Sequence, residues 1–451
     1  MAAVSEDKFN FQLERVLYDS VHNKLIVSSK FFKTIGNLYV RGICSWDGNS
    51  WDSLSSGINT HDTLNSYPNG MALSCIPYNG KLLVGGMFQS IGGVNATSLA
   101  LWDGVEWDSL PVRAFQFNDN PIQVLGFCKF NNLIYIYGTF DTIGGQPASG
   151  IATWDGISFQ PIILPVNTVD LIRKMVVFKN ELYVGGQFFD LGINNGLRFI
   201  LKFDGSNWVT VGGGLLGYSA GLTDMLIYKN ELYVGGHFLK SEGNVGENIM
   251  KWDGTQWYDV GMDGGSTGAV WQMLVYKDKL WTVGSFITAA NIYAPSIASY
   301  DSIEWCALYD DLNNTIGSAT VFNDTMYVAG GFQSVNGDTN IRYLAKLKYP
   351  GLFRQCVLAN SVDEIKSTDS FQIYPNPTNG NNILVNFPFV KIGDYEVLNV
   401  LGAIVKNGKI ANTDKIEIDL SLIANGCYFV KIICDVGNSS QQNYVGKFLK
   451  N

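Results

Sequence analysis

The sequence predicts an all-β chain, in which a seven-bladed β-propeller is followed by a small Ig-like β-sandwich. Two observations predict the propeller: one motif recurs about every 50 residues, and each copy contains short apolar strands separated by turn residues. The repeat stops near residue 358, and a different strand pattern fills about 80 residues at the C-terminal end, which predicts the sandwich. We expect domains at 1–358 and 371–451, joined by a polar linker at 359–370.

The repeat is marked by a phenylalanine near the end of the second strand of each copy. The seven copies are spaced 57, 52, 48, 50, 48 and 46 residues apart, at Phe31, Phe88, Phe140, Phe188, Phe238, Phe286 and Phe332. A period near 50 is typical of propeller blades, since each blade is a four-stranded meander that buries its faces only against its neighbours. The seventh copy is expected to take its fourth strand from 352–358. The segment Lys8 to Gln12 is expected either to add to that blade or to cover it.

The fourth copy illustrates the predicted strands. Leu182-Tyr183-Val184 is apolar on consecutive residues, as in a strand that is buried on both faces. The Gly185-Gly186 pair that follows lacks two Cβ atoms, which indicates a bulge or a close approach of two backbones. The predicted strands of this copy are 172–178, 181–187, 198–203 and 207–211.

An aspartate marks the turn between the third and fourth strands of six copies. Each aspartate follows an aromatic residue and precedes another by four positions, and the six are Asp47, Asp103, Asp155, Asp204, Asp253 and Asp301. We interpret them as turn residues and not as an acidic catalytic set, because a residue that recurs at a turn is explained by turn chemistry. The flanking aromatic residues are expected to pack across each hairpin.

The lengths of the connections predict where a ligand binds. The turns between the first and second strands, and between the third and fourth, are short and lie at one face of the disc, whereas the longer connections collect at the other. Loops on a rigid scaffold commonly carry binding sites, and the central channel is a second candidate region. The candidate ligands for calcium or a sugar on the long-loop face are Asp119, Asp170, Asp263, Asp310 and Asp311.

The glycine pairs and the aromatic residues of the later strands resemble the Kelch and galactose-oxidase class of propellers. The resemblance covers residues 12–358 and implies the fold without implying an activity. The chain has three histidines, His22, His61 and His237, in separate parts of the repeat, and a copper or zinc site needs several such ligands together. We predict no metal, no cofactor and no catalytic residue.

The composition limits the partners and the location of the chain. A net charge of −9 disfavours nucleic acid and anionic membranes, and no apolar run reaches the roughly 18 to 20 residues that span a bilayer. Most of the seven cysteines are expected to be buried small hydrophobic residues, and no bridge is expected between Cys427 and Cys434 on one strand. Met1 to Asp7 lack the features of a secretory signal peptide, so Met1-Ala2 is expected to be a processed or re-engineered start.

The last segment is predicted to contain seven short strands, at 371–374, 382–387, 395–400, 404–405, 415–420, 426–433 and 443–449. The order of its motifs resembles the type A C-terminal sorting domain of type IX secretion cargo in Bacteroidetes. The residues that carry the resemblance are Pro375, Asn376, Pro377, Gly380, Gly402, Gly426, Tyr428, Lys447 and Lys450. The resemblance implies export across the outer membrane by the type IX translocon, and a secreted or cell-surface location.

Two hypotheses for function follow. The first is an exported binding module whose propeller displays its loops to a glycan, a protein or a surface. The second is a secreted carbohydrate-active hydrolase or lyase that uses carboxylates of the long-loop face. The scarcity of histidine and the lack of a catalytic signature favour the first.

Overall fold

The computed structural model describes residues 1–5, 9, 11–30, 34–59, 70–110, 115–116, 122–143, 146–165, 168–189, 199–216, 221–262, 268–308, 310–347, 353–358, 372–399, 403–435 and 441–451. The chain divides into two compact units, Met1–Ala359 and Asn360–Asn451. The predicted linker at 359–370 lies outside the described residues. Both units are built from β-strands, as predicted, and the helical segment of the described chain is the short 3-10 turn Lys240–Glu242.

The first unit contains seven antiparallel meanders, which confirms the seven predicted blades. The inner strands are Arg15–Asp19, Met71–Tyr78, Gln123–Phe130, Thr168–Phe178, Gly221–Tyr228, Val270–Tyr276 and Ile316–Phe322. The second strands are Lys24–Ser28, Lys81–Met87, Leu133–Thr139, Glu181–Phe189, Glu231–His237, Lys279–Gly284 and Thr325–Gly330. The third strands are Ile43–Trp46, Leu99–Trp102, Ile151–Trp154, Ile200–Phe203, Ile249–Trp252, Ile297–Tyr300 and Leu344–Lys346. The outer strands of blades one to six are Trp51–Asp52, Trp107–Ser109, Phe159–Ile162, Trp208–Thr210, Trp257–Asp259 and Glu304–Leu308.

The blades form a closed ring. Each inner strand contacts the inner strand of the next blade, and that of blade seven contacts that of blade one. Short two-stranded and three-stranded ribbons extend the connections on the long-loop side. They comprise Thr34–Ile35 with Leu38–Tyr39, Ile58–Asn59 with Ser90–Ile91 and Val94–Asn95, Phe115–Gln116 with Thr142–Ile143 and Gln146–Pro147, and Thr288–Ala289 with Ile292–Tyr293.

The second glycine of each pair lies opposite a β-bulge in the inner strand. A Cβ atom on Gly186 would lie 2.1 Å from the carbonyl oxygen of Leu171, and one on Gly236 would lie 2.0 Å from that of Gly221. The register of the inner strand shifts at this level in blades two to seven. The predicted bulge and the predicted close approach are therefore both confirmed, because the glycine makes room for a carbonyl that the bulge pushes toward it.

The six turn aspartates act as predicted. In each turn, Oδ1 accepts hydrogen bonds of 2.6 to 3.0 Å from the backbone N–H groups two and three residues further on. The backbone bonds lower the pKa of Asp47, Asp103, Asp155 and Asp204. The aromatic pairs pack across the same hairpins, with ring centroids 4.9 Å apart for Trp102 and Trp107 and 4.8 Å apart for Tyr300 and Trp305.

The predicted fourth strand of blade seven is wrong. Phe353–Leu358 pairs with Glu304–Leu308 and becomes a fifth strand of blade six. Cys306 and Cys356 lie opposite each other in this pairing and form a disulfide. The expectation of unpaired cysteines missed this bond, because their spacing of 50 residues gave no sign that the two strands are neighbours. Cys44 and Cys128 are buried free thiols, as expected, and Cys427 is also free.

The N-terminal residues pair with blade seven at the edge where the missing strand was expected. Ala2 exchanges two backbone hydrogen bonds of 2.9 Å with Lys346 in the third strand of that blade. Because this edge is occupied by Ala2, the strand that follows blade seven pairs with blade six instead. Of the predicted segment Lys8 to Gln12, Phe9 pairs with Ile35 of blade one, whereas Lys8 and Asn10 lie outside the described residues.

Tryptophans of the outer strands join blades two, five and six each to the blade before it. Nε1 of Trp107 donates to the carbonyl oxygen of Leu54 at 3.1 Å, and Nε1 of Trp305 donates to that of Val260 at 2.7 Å. In blade one, Nε1 of Trp51 donates to the Ser5 hydroxyl at 3.1 Å. Residues 1–5 therefore occupy the positions that an outer strand and the connection after it occupy in the other blades.

The second unit has five strands where seven were predicted. They are Gln372–Tyr374, Asn382–Asn399, Ile404–Asp419, Gly426–Asp435 and Gln441–Lys450. Two pairs of predicted short strands are each one continuous strand, since backbone pairing continues through a register shift between Asn386 and Val390. The first half of the second strand pairs with the first strand, and the second half pairs with the fourth. Ile383 and Val397, from the two halves, share one apolar core, and the five described strands form one hydrogen-bonded sheet. The division of this sheet into the two layers of a sandwich stays a prediction.

Candidate ligand-binding site

Two adjoining cavities lie in the central channel of the propeller. Their volumes are about 360 Å³ and about 270 Å³, and the smaller is lined by all seven inner strands. The larger is lined by the first residues of inner strands, together with Gln12 and Thr315, which precede the inner strands of blades one and seven. Inner strands begin at the face that carries the long connections, so the larger cavity lies at the long-loop end of the channel.

The bulges determine which side chains reach this cavity. In blades two to seven the residue before each bulge is apolar and buried: Ala72, Val124, Ile172, Leu222, Val270 and Ile316. The bulge residue itself lines the channel, and its type varies among the blades, with leucine in both blade two and blade three. We call these bulge residues, with their counterpart in blade one, the bulge ring: Glu14, Leu73, Leu125, Arg173, Thr223, Trp271 and Gly317.

In blades four to seven, the residue after the bulge binds the neighbouring blade. Asp224 pairs with Lys174 of blade four at 2.7 Å and accepts the backbone N–H of Met273 in blade six at 2.7 Å. Gln272 exchanges two hydrogen bonds of 2.9 Å with the backbone of Ala319 in blade seven. Burial disfavours the charge on Lys174, but the Asp224 carboxylate outweighs it and raises the pKa of Lys174. Lys174, Asp224 and Gln272 are engaged in holding the ring together, which leaves the bulge ring and Arg15, their counterpart in blade one, to bind a ligand.

Two guanidinium groups face the cavity without a carboxylate partner. Nη1 of Arg15 donates to the carbonyl oxygen of Glu14 at 2.9 Å, and the Glu14 carboxylate accepts the backbone N–H of Lys30 at 3.1 Å. Among the described residues, no carboxylate forms an ion pair with Arg15 or Arg173. Burial lowers the pKa of both arginines, and the charge of Arg15 lowers that of Arg173 further. The two cations are therefore close together and incompletely solvated.

The rest of the lining is partly apolar and partly hydroxylic. Trp271 lines the cavity with a large aromatic side chain, and the residue is 39% exposed. The Thr223 hydroxyl lies 3.0 Å from the carbonyl oxygen of Gly235, which leaves its lone pairs as acceptors. Cys75 lines the smaller cavity, and burial raises its pKa to about 12, so its thiol is neutral and a weak nucleophile at neutral pH.

The predicted acidic candidates do not converge among the described residues. Asp119 and Asp263 lie outside them, and the backbone of Asp170 belongs to the inner strand of blade four. Asp310 and Asp311 lie in the connection between blades six and seven. Oδ1 of Asp310 accepts the Asn336 side-chain amide at 2.7 Å, and the backbone of Asp311 exchanges hydrogen bonds with Asn336. Their role as ligands stays a prediction.

The described histidines lie in different blades. Nδ1 of His22 is 2.7 Å from the Asp19 carboxylate in the first turn of blade one, and His237 ends the second strand of blade five. His61 lies outside the described residues. The group of Glu304, Cys306 and Cys356 has metal-ligand chemistry, but its two sulfur atoms are joined in the disulfide.

The sorting motifs of the second unit hold its last strand in place. Nδ2 of Asn376, between Pro375 and Pro377, donates to the carbonyl oxygen of Lys447 at 2.8 Å, and Oδ1 accepts the N–H of Leu449 at 3.1 Å. The buried ammonium of Lys450 donates to the carbonyl oxygens of Leu420 at 2.7 Å and Ile423 at 2.6 Å. Gly380 follows in the same turn and Lys447 is exposed, whereas Gly402 lies outside the described residues.

Two further motif residues shape the fourth strand of that unit. Gly426 begins the strand, and the buried Tyr428 ring stacks on Phe448 with ring centroids 5.7 Å apart. The Tyr428 hydroxyl donates to the carbonyl oxygen of Ala424 at 2.9 Å. The motif spacing therefore reflects a network that anchors the C-terminal strand.

Comparison with known families agrees with this geometry. Residues 372–449 match the secretion system C-terminal sorting domain. The chain is thus a β-propeller that carries a C-terminal sorting domain. The sorting domain indicates that the type IX secretion machinery exports the chain to a surface or secreted location, and the predicted resemblance of residues 371–451 to such a domain is confirmed. No helix in the described part of the chain has the length and apolar character needed to cross a membrane.

Solved structures that resemble the chain do so distantly. YjhT is 11% identical, with 64% of this chain and 96% of that chain covered and a TM-score of 0.34. The β-propeller domain of Cps50 (Swd1) from Myceliophteria thermophila is 10% identical, with 73% and 96% covered and a TM-score of 0.34. YCF48 bound to D1 peptide is 11% identical, with 63% and 94% covered and a TM-score of 0.28. No curated protein matches the sequence.

The bulge ring was missed by the analysis of the sequence. The channel was predicted as a region without lining residues, because the predicted ligands were acidic side chains in long connections. A signal was present nevertheless. The position that follows the buried apolar residue before the bulge carries six residue types in the seven copies, whereas that buried neighbour is always apolar.

Proposed function

We propose that the protein is an exported binding module whose propeller holds its ligand at the long-loop end of the central channel. The observation that carries the proposal is the bulge ring. A repeat that keeps one buried apolar residue in every blade carries six residue types at the next position of its seven blades, and that varied position lines the channel cavities. Variation at the one position that faces a shared cavity is expected of a recognition surface on a rigid scaffold.

The disulfide supports the exported location. Cys306 and Cys356 are bonded between strands of blade six, and such bonds persist in oxidising compartments such as the periplasm and the extracellular space. The sorting domain supplies the export address, and the propeller supplies the binding surface. We propose that residues 1–358 and 371–451 are independent domains joined at 359–370, so that the propeller binds its ligand without the second unit.

The alternative is a secreted carbohydrate-active enzyme. Such enzymes use two carboxylic acids about 5 to 10 Å apart, one of which is free to give up or accept a proton. Both described carboxylates of the channel lining are engaged. Asp224 is bound to Lys174 and to two backbone N–H groups, and Glu14 is bound to the N–H of Lys30. The turn aspartates, at the opposite face, are held by Asx turns. These bonds favour the binding module.

A panel of immobilised polysaccharides tests the proposal when retention and release of reducing ends are both scored. We expect the full chain to be retained by at least one polysaccharide without product release. Trp271→Ala should lower the retention by tenfold or more, whereas Tyr39→Ala, at a side chain that is 63% exposed outside the channel, should not. Equal loss of retention in both variants, or unchanged retention of Trp271→Ala, would place the ligand elsewhere. Release of products would favour the enzyme.

A further inference from the structure

The lining of the two channel cavities has a chemical bias that defines the ligand more closely. We propose that the cavity binds an acidic saccharide, whose carboxylate or sulfate group is held between Arg15 and Arg173 while a sugar ring packs on Trp271. This inference rests on the proposed channel site and goes further by naming the class of ligand.

The charge of the cavity opposes that of the chain. The protein carries a net charge of −9, yet its channel concentrates three cations, Arg15, Arg173 and Lys174. Lys174 is neutralised by Asp224 at 2.7 Å. The Glu14 carboxylate also acts on Arg15, but among the described residues it forms no ion pair with either arginine, and two arginines against one carboxylate leave the lining positive. A positive cavity within an acidic protein attracts anions and repels cations.

The arginines are arranged as an anion site and not as a structural ion pair. Among the described residues, one donor of the Arg15 guanidinium has a protein partner, the carbonyl oxygen of Glu14 at 2.9 Å. Arg173 has no hydrogen-bond partner among the described residues, and its side chain is open to the cavity. Guanidinium groups present paired N–H donors that fit the two oxygen atoms of a carboxylate or a sulfate. Two like charges that share one poorly solvated cavity are stabilised when an anion lies between them.

The remaining lining suits a sugar better than a small inorganic ion. Trp271 offers an apolar face next to the cations, and the C–H face of a pyranose ring packs on such a surface. Thr223, Thr315 and Gln12 place polar atoms around the same space, where they can meet sugar hydroxyl groups. A cavity of about 360 Å³ lies within the range of sites for small organic ligands.

The test uses the full chain and calorimetric titration at low and high salt. The probes are a trisaccharide of galacturonic acid, the neutral galactose trisaccharide of the same linkage, and a pentapeptide of glutamate. We expect the acidic trisaccharide to bind the wild type at least tenfold more tightly than the neutral one, with an affinity that falls as salt is raised. Arg173→Gln should remove at least tenfold of that affinity, and Arg173→Lys should restore only part of it. Lys409→Gln removes an exposed charge from the second unit and should change nothing.

A second measurement separates recognition from folding. Without ligand, Arg173→Gln should melt at or above the temperature of the wild type, because it removes a charge that Arg15 repels. An arginine with only a structural role would lower the melting temperature when replaced. Such a decrease, together with unchanged binding of the acidic trisaccharide, would overturn the inference.

The other outcomes distinguish this inference from the proposed function. If Trp271→Ala abolishes binding of the acidic and neutral trisaccharides equally and Arg173→Gln changes neither, the channel site stands and its preference for anions is refuted. If the glutamate peptide binds better than either sugar, the ligand is not a saccharide. If none of the probes binds, the acidic saccharide is refuted, while retention on other polysaccharides still tests the channel.

Discussion

Replacing Cys306 and Cys356 together by serine is expected to loosen the seventh blade of the ring. The disulfide closes a loop of 50 residues, and that loop contains all three strands of blade seven. In the chain-entropy model, a cross-link that closes a loop of this length stabilises the folded state by about 4 kcal/mol, because it restricts the unfolded chain. The free energy of unfolding should fall by roughly that amount.

Denaturation by urea, followed by tryptophan fluorescence, measures this loss. All eleven tryptophans lie between Trp46 and Trp305, so the signal reports on the propeller alone. Reduction of the wild type should reproduce the shift of the double variant, and a reductant should have no effect on that variant. Cys427→Ser, at a free thiol of the second unit, is the control and should leave the transition unchanged. A decrease of less than about 1 kcal/mol in the free energy of unfolding would refute the reasoning, because closure of this loop would then contribute little to stability.

Three further predictions follow from the fold. Gly186→Ala should destabilise the propeller by roughly 1 to 3 kcal/mol, because its Cβ atom would meet the carbonyl oxygen of Leu171 at 2.1 Å. Thermal unfolding measures this loss. Gly221→Ala is the control that should be tolerated, because the atom nearest to its Cβ would lie at 3.8 Å. Hydrogen bonds from the Thr255 hydroxyl and the backbone lower the pKa of Asp253 below its ordinary 3.8. The Asp253 carboxylate therefore stabilises the folded protein fully above pH 3.8, and this stabilisation is lost as the pH falls toward the lower pKa of the folded state. In Asp253→Ala, the free energy of unfolding, measured from about pH 2 to 7, should fall less steeply at acid pH than in the wild type. Deletion of 371–451 should leave a folded propeller in the periplasm, and fractionation that finds it in the medium at the normal rate would contradict the sorting assignment.

The repeat itself was predictable because propeller blades impose local rules. Glycines opposite a bulge, aspartates in a turn and aromatic residues across a hairpin are each required within a few residues of one another, so they recur in the sequence. The six Asx turns and the glycine contacts are therefore where the pattern predicts them. The motif order of the second unit was equally informative. Asn376 must bind the last strand, and Lys450, at the end of that strand, must bind the carbonyl oxygens of Leu420 and Ile423.

The errors concern contacts between distant parts of the chain. Pairing of Ala2 with Lys346, and of Phe353–Leu358 with blade six, depends on which free edge is already occupied, and no local pattern encodes that. The bulge ring was missed for a related reason. Arg15, Arg173 and Trp271 come from three different blades, and only closure of the ring brings them to one cavity.

Footprinting with hydroxyl radicals tests the central claim most directly, because it maps the ligand on the folded protein. The full chain would be exposed to radicals with and without the polysaccharide that retains it. The account predicts protection of Trp271 at the channel, with no change at Val105 and Ile157, which are 83% and 84% exposed on the short-turn face. Protection of Val105 or Ile157, with Trp271 oxidised as in the free protein, would contradict it.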